Sequence, residues 1–373
     1  MEYANHPGGT ALSDRRIANG AKDPFDIKLW CLGNELDGPW QIGHKTAHEY
    51  GRLAQEAAKA MKFVDPSIEL VAVGSSGRGM PTFGEWEHTV LTHAYDEVDY
   101  VSMHAYYQEH DGDAASFLAT AVDMDAFIEE VVSTIDGVRA AGKHTKHLNL
   151  SFDEWNVWYQ TGLETDDQPH KVSQGWREHP RLIEDRYNVT DAVVVGTMLN
   201  SLLRHGDRVA IANQAQLVNV IAPIRSEENG PAWRQSIFWP FARMAALATG
   251  QILQAKVVSD RIDTAKFGDA DLVDVSATYD EATGRVAFFL ANRGLDEAAD
   301  VSIALNGFTA SRVTRAEVLQ IPEGGDRFSS NGADSQDTVG LIPLDGVTVE
   351  GGSARLSLPA LSWAVVELEV ASA

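Results

Sequence analysis

The sequence predicts an α/β domain built on a parallel sheet, followed by an all-β domain. Apolar β-type runs alternate with amphipathic helical stripes up to about residue 250, which is the signature of βα units. Beyond Gly250 the pattern changes to short β-rich runs separated by Gly, Asp, Asn and Pro clusters, with no competing helical stripe. A chain of 373 residues is long enough for two cores. The expected division is residues 1–250 for the α/β part and 251–373 for a β-sandwich.

Residues 1 to about 26, rich in Gly, Pro, Asn and Asp, read as the end of a helix or a loop. Ile27 to Glu35 (I-K-L-W-C-L-G-N-E) is an apolar strand ending in Gly-Asn-Glu, followed by the turn residues Asp37-Gly38-Pro39. The next stripe, Ala47, Tyr50, Leu53, Ala57, Ala58 and Met61, predicts a helix from about Lys45 to Phe63 that stops before Asp65-Pro66. Glu69 to Ser75 and Tyr100 to Tyr106 are apolar strands. Phe127, Ile128, Val131, Val132, Ile135 and Val138 share one stripe of a helix from about Met124 to Arg139. In Leu148 to Tyr159 (L-N-L-S-F-D-E-W-N-V-W-Y), apolar and polar residues alternate as in a strand that delivers Glu154 near its end. Thr190 and Asp191 can cap a helix ending near Gly206, before a strand and extension from Arg208 to Ile221. A last helical region is expected from about Pro231 to Thr249, interrupted or begun again at Pro240. The sandwich strands are expected at Arg285 to Arg293, Asp300 to Asn306, Arg312 to Ile321, Ala354 to Leu358 and Trp363 to Val370.

Composition excludes some partners. The net charge is -24, with 30 Lys and Arg against 54 Asp and Glu, so a basic face for nucleic acid or an anionic membrane is not available. A neutral substrate such as a sugar fits. No apolar run reaches the ~18 residues of a membrane span, and the N-terminus lacks the basic and apolar segments of a signal peptide, so a cytoplasmic protein is expected. The single cysteine, Cys31, cannot form an internal disulfide and reads as a buried, inert thiol.

Two strand-end carboxylates stand out. Glu154 is surrounded in sequence by Trp155, Trp158 and Tyr159, and Glu35 ends an earlier strand. Facing carboxylates on two strands of one barrel are what general acid and nucleophile chemistry on a sugar requires. His104 and Tyr106, two apart on a strand, point to one face. Gln216, a neutral amide at a comparable strand end, suits a sugar hydroxyl. Asn34 can share the cleft with Glu35 only if a bulge or turn breaks the strand's alternation. The alternative for each is structural: ion-paired acids beside core aromatics, and a buried His and Tyr bonded to each other. No metal or other cofactor is expected, since His144 and His147 lie in a Lys-rich connection without an acidic partner at ligand spacing. Asn188-Val189-Thr190 fits a glycosylation sequon, but a helix cap explains Thr190 better.

The runs W-C-L-G-N-E-L-D-G-P-W-Q-I-G-H-K-T-A, V-D-P-S-I-E-L-V-A-V-G-S-S and L-S-F-D-E-W-N-V-W-Y resemble the α-L-arabinofuranosidases of glycoside hydrolase family 51. So do A-Q-L-V-N-V-I-A-P-I, G-P-A-W-R-Q and L-P-A-L-S-W, and the resemblance extends over nearly the whole chain. It implies a retaining glycosidase with a (β/α)8 TIM barrel followed by a β-sandwich. By the same resemblance Glu35 is the acid/base, Glu154 the nucleophile, and Asn34, His104, Tyr106, Trp158 and Gln216 are substrate-binding residues. The substrates implied are arabinose-containing oligosaccharides, and the assembly a homo-oligomer, a hexamer. The first recognisable strand matches the family's fourth, so the first three barrel strands are expected to be lacking. The alternative function is a truncated, non-catalytic remnant that binds carbohydrate.

Overall fold

The computed structural model describes residues 1–160, 181–350 and 352–372. The chain forms two compact units. The first comprises residues 1–105, 127–155 and 207–213, and the second residues 106–126, 156–206 and 214–373.

A five-stranded sheet organises the first unit: β1 (Leu29–Cys31), β2 (Glu69–Ala72), β3 (Tyr100–Tyr107), β4 (Asn149–Val157) and β5 (Val209–Gln214). The strands lie in sequence order, and β2 pairs in parallel with both β1 and β3. The expected strand from Ile27 to Glu35 is real only over three residues. It ends because the chain leaves the ladder at Gly33, whose φ of 127° is open to glycine alone. Residues 1–26, expected as a helix end or loop, form α1 (Glu2–Asn5) and α2 (Ala11–Ala18). They are held by the fully buried Arg16, whose guanidinium donates to the carbonyls of Tyr3, His6, Pro7, Ala21 and Lys22.

Thr46 and Glu49 form a reciprocal capping box that starts α3 (Ala47–Val64), and Pro66 follows its end. The helix α4 (Glu85–Ala94) was not expected. Its Trp86 stacks on Tyr50 of α3 at 5.4 Å, and both rings are buried. In α6 (Ala121–Gly142), Phe127 meets Phe152 of β4 edge to face, with centroids 6.0 Å apart. The aromatic and aliphatic stripe of that helix thus lands on the strand that carries Glu154.

In the second unit α5 (Ala114–Leu118) and α7 (Val189–Arg204) lead to α8 (Phe238–Leu247). The cap of α7 is Asn188, whose side chain accepts from Asp191 N–H while Asp191 accepts from Asn188 N–H. This corrects the expected capping by Thr190, which lies inside the helix and donates its hydroxyl to the Arg327 carbonyl. Residues 189–202 of α7 are all buried, and Gly196 is so close to Trp363 that a Cβ would stand 2.1 Å from the indole. The helical region expected from Pro231 begins instead at Phe238, because Ala232–Arg234 pairs with Ile224–Ser226 as a hairpin.

A six-stranded antiparallel sheet has the order Ile342–Pro343, Phe308–Leu319, Ser362–Ser372, Arg285–Asn292, Val273–Asp280 and Gln251–Leu253. A second sheet, with the order Ala299–Ala304, Ser353–Leu358 and Thr348–Glu350, completes a sandwich. Val286, Phe288, Leu290, Leu356, Leu358, Val366 and Leu368 fill its core. All five strands expected here are present with small shifts of boundary, and Gln251–Leu253, Val273–Asp280, Ile342–Pro343 and Thr348–Glu350 are additional.

Candidate active site

Glu35 sits where β1 has ended. Its φ of 46° is left-handed, a conformation that costs a residue with a Cβ ~1–3 kcal/mol unless surrounding bonds enforce it. Gly38 N–H closes the turn by donating to the Glu35 carbonyl at 2.9 Å. The break in alternation needed for Asn34 and Glu35 to share a cleft is therefore present, and Asn34 is exposed on this turn.

His104, in the middle of β3 and 4% exposed, is the centre of the charge cluster. Its Nδ1 lies 2.9 Å from Glu35 Oε1 and 3.4 Å from Glu154 Oε2, and its Nε2 lies 3.2 Å from Asp153 Oδ1. Burial opposes a charge on the imidazole. Hydrogen bonds to Asp153 and Glu35 and the charges of Glu154 and Asp153 outweigh it, and carry the His104 pKa up to about 9. His104 is thus an imidazolium at neutral pH, and its Nδ1–H donates to Glu35.

Burial alone would raise the Glu35 carboxyl. The hydrogen bond from His104 and the indole N–H of Trp40, 2.7 Å from Oε2, overcome that and hold it below the ordinary carboxylate range. The imidazolium stands beside both carboxylates, 2.9 Å from Glu35 Oε1 and 3.4 Å from Glu154 Oε2.

One oxygen each of Glu35 and Glu154 and Nδ1 of His104 lie within 4.8 Å of one another. Among the described residues this is the one His/Cys/acid group spaced to ligate a metal ion. A proton on Nδ1 occupies the lone pair that a metal would need, so the electrostatics favour a proton there.

Tyr106 and Trp158, both of the second unit, pack edge to face with centroids 4.9 Å apart. The Trp158 indole N–H is buried with no partner among the described residues. Gln216 lies beyond β5, exposed, with a φ of 58°. His144 bonds Asp96 and His147 contacts Arg139, which accounts for both as surface residues. Two participants escaped the sequence reading. Asp153 had a signal in the Asp-Glu doublet, and Trp40 had none beyond its nearness to Glu35 in the chain.

A carboxylate pair at this spacing, one just past β1 and one within β4 of the same sheet, is the arrangement of retaining glycoside hydrolases. Comparison with known proteins sharpens this class. The α-L-arabinofuranosidase 1 domain family matches residues 1–138, and the α-L-arabinofuranosidase C-terminal domain family matches residues 153–362. An intracellular exo-α-(1→5)-L-arabinofuranosidase of Streptomyces lividans is 52% identical over 97% of this chain and 54% of its own length. An exo-α-(1→6)-L-arabinofuranosidase of Bifidobacterium longum is 45% identical over 99% of this chain and 71% of its own length. A solved family 51 α-L-arabinofuranosidase from Bifidobacterium longum superposes with a TM-score of 0.91 at 43% identity, covering 98% of this chain and 72% of that one. The chain belongs to the α-L-arabinofuranosidases of glycoside hydrolase family 51. Its fold is accordingly a TIM-barrel-type α/β domain with five strands, followed by a β-sandwich, and it spans about half the length of the Streptomyces relative.

Proposed function

We propose that this chain, as part or all of its enzyme, hydrolyses terminal non-reducing α-L-arabinofuranosyl residues with retention of configuration. The single observation that carries this reading is the placement of Glu35 and Glu154 oxygens within 4.8 Å of each other. Retaining enzymes hold their carboxyl groups ~5–5.5 Å apart and inverting ones wider, to admit a water. Glu154 attacks the anomeric carbon as the glycosidic C–O bond breaks, and a proton passes from Glu35 to the leaving oxygen. Water then attacks the glycosyl-enzyme with Glu35 as base, which regenerates free Glu154.

In the free protein the proton for this step rests on His104 Nδ1, 2.9 Å from Glu35 Oε1. A bound sugar excludes water, makes three unscreened carboxylates with one cation costlier, and shifts that proton onto Glu35. Asn34, His104, Tyr106, Trp158 and Gln216 belong to the same reading as sugar-binding residues, Trp158 through its unpartnered indole N–H. The division into a catalytic domain over 1–250 and a sandwich over 251–373 belongs to it as well, supported by the start of the antiparallel sheet at Gln251.

The substrates proposed are arabinose-containing oligosaccharides from arabinan or arabinoxylan. Relatives named for (1→5) and for (1→6) activity are both close in sequence, so the linkage preference is left to assay. A cytoplasmic location is supported by the word intracellular in the Streptomyces relative's name. A hexameric homo-oligomer completes the reading and is checked by light scattering.

The test is hydrolysis of an aryl α-L-arabinofuranoside, with the anomer first released followed by NMR. Glu154→Ala is expected to lower the rate by ~10³-fold or more. Undiminished turnover by that variant, or first release of the inverted anomer, would sink the assignment.

A further inference from the structure

We infer that Asp37 is a positioning residue for the acid/base, acting through the turn that carries Glu35. This rests on the proposed function and extends it to a residue outside the charge cluster. Once β1 has left its ladder at Cys31, little backbone pairing holds the segment that presents Glu35. Leu32 N–H still donates to the Val71 carbonyl at 3.0 Å, and Lys45 N–H donates to the Leu36 carbonyl at 2.9 Å. Between these, Gly33 and Glu35 both have left-handed φ angles, 127° and 46°, so relaxation of the turn would swing the Glu35 side chain away from His104.

Side chains supply the missing restraint. Asp37, only 4% exposed, accepts from Ser76 N–H at 3.0 Å through Oδ2 and also accepts from the Ser76 hydroxyl. Ser76 follows β2, so the bond ties the Glu35 turn to the end of the next strand. That anchor is itself fixed. Ser75 N–H donates at 2.7 Å to the buried Glu87 of α4, whose other oxygen accepts from Gly84 N–H at 2.8 Å. Gly74 lies so tightly against β3 that a Cβ would stand 2.0 Å from the Ser102 carbonyl oxygen. A second strut runs through Tyr50, whose hydroxyl accepts from Val73 N–H at 2.7 Å and donates to the Leu32 carbonyl at 3.3 Å. Tyr50 secures the beginning of the segment, and Asp37 secures it two residues past Glu35. Asp37 therefore sets where the acid's proton is delivered, without touching substrate.

A residue that serves only the acid matters in proportion to how much protonation the leaving group needs. The experiment compares kcat/KM for methyl α-L-arabinofuranoside, whose alkoxide leaves poorly, with that for the 2,4-dinitrophenyl glycoside, whose phenolate leaves unaided. Asp37→Asn keeps the size of the side chain but leaves one neutral acceptor oxygen where two carboxylate oxygens met Ser76 N–H and the Ser76 hydroxyl, which must turn round to accept from the amide. It is expected to lower the methyl glycoside rate by ~10–100-fold and the dinitrophenyl rate by less than ~3-fold. Ser76→Ala, which removes one donor from the opposite side, should give the same selective loss to a smaller degree, and it carries the test alone if Asp37→Asn fails to fold. Equal losses on both substrates, or no loss on either, overturn the inference. A wild-type chain inactive on both glycosides would instead overturn the functional reading itself.

Discussion

Each compact unit holds a group of acids, partly exposed in the first and buried in the second, and the two groups have been driven to opposite states. In the first unit Glu35, Asp153 and Glu154 surround His104, and Glu35 is held in its charged form. In the second unit Asp185 and Asp191 are 5% and 0% exposed, with Tyr159 and Tyr187 as neighbours. Burial pushes Asp185 up to about 6 and Asp191 up to about 7, although Tyr159 donates its N–H to one and its O–H to the other. The second pair is the deeper, since the side chains of Glu35, Asp153 and Glu154 keep 14%, 14% and 30% of their surface exposed. The first group is also bonded directly to a cation, His104, whereas the second is bonded to Tyr159, with Arg225 contributing only a coulombic effect on Asp185. Partial exposure and a directly bonded cation act together to keep Glu35 charged, and Asp191 has neither.

The comparison breaks most visibly if that cation is removed. His104→Gln should lower kcat/KM by on the order of 10²-fold. It should also move the alkaline limb of the pH profile to lower pH, since the shared proton is lost from a carboxyl alone rather than from a pair with an imidazole at about 9. Stability supplies a second readout. The folded state binds the His104 proton more tightly than the unfolded chain, whose His titrates near ~6.5. The stabilisation is complete below that pH and is lost as pH rises through about 9, a decline that the variant should lack.

Asp191 tests the other group. Its carboxyl also binds a proton more tightly when folded, so its favourable contribution is present below the unfolded value of ~3.9 and is lost as pH rises through about 7. Asp191→Asn stays neutral throughout. Its Oδ1 can accept from Asn188 N–H while its amide donates to a Tyr159 hydroxyl turned into an acceptor. The variant should show a flatter melting temperature between pH 4 and 8 than the wild-type chain, measured by calorimetry; a curve parallel to wild type would mean that Asp191 is ionised in the folded state.

The smallest effect is expected from Trp40→Phe, which removes one donor to Glu35 and leaves the imidazolium. The carboxyl should drift upward and take the alkaline limb of kcat/KM to higher pH, with less than ~3-fold change at the optimum. A limb that moves down would show that the indole does not stabilise the charged form.

Sequence patterns made the order of strands and long helices visible because hydrophobic period survives in these elements, as in the stripe of α6 and the alternation around Glu154. The carboxylates were legible for a related reason, since each closes an apolar run. What stayed hidden depends on partners distant in the chain. The helix α4 begins at Gly84 with a φ of 80° and has no Ser, Thr, Asp or Asn at its start to announce it. In Val273–Asp280 the polar residues Asp274, Ser276 and Thr278 are buried, and Asp274 and Ser276 bond Asn200 of α7, a use of polar groups that periodicity does not reveal. The proton on His104 was equally out of reach, because it depends on three carboxylates from two other segments.

Cys31 was expected to be buried, yet it is exposed, because β1 is the outermost strand of its sheet. Its thiol contacts Asp153 Oδ2 at 3.9 Å, and partial enclosure with that neighbouring charge pushes it up to about 11. It is the chain's single cysteine. A thiol-directed reagent therefore has one address and reacts there sluggishly, because enclosure and the neighbouring carboxylate both disfavour the thiolate. The molecule thus carries its own built-in probe: the pace of alkylation at Cys31 would register any change in the enclosure of the charge cluster on its Asp153 side, the side facing His104 Nε2, without a dye or label being engineered in.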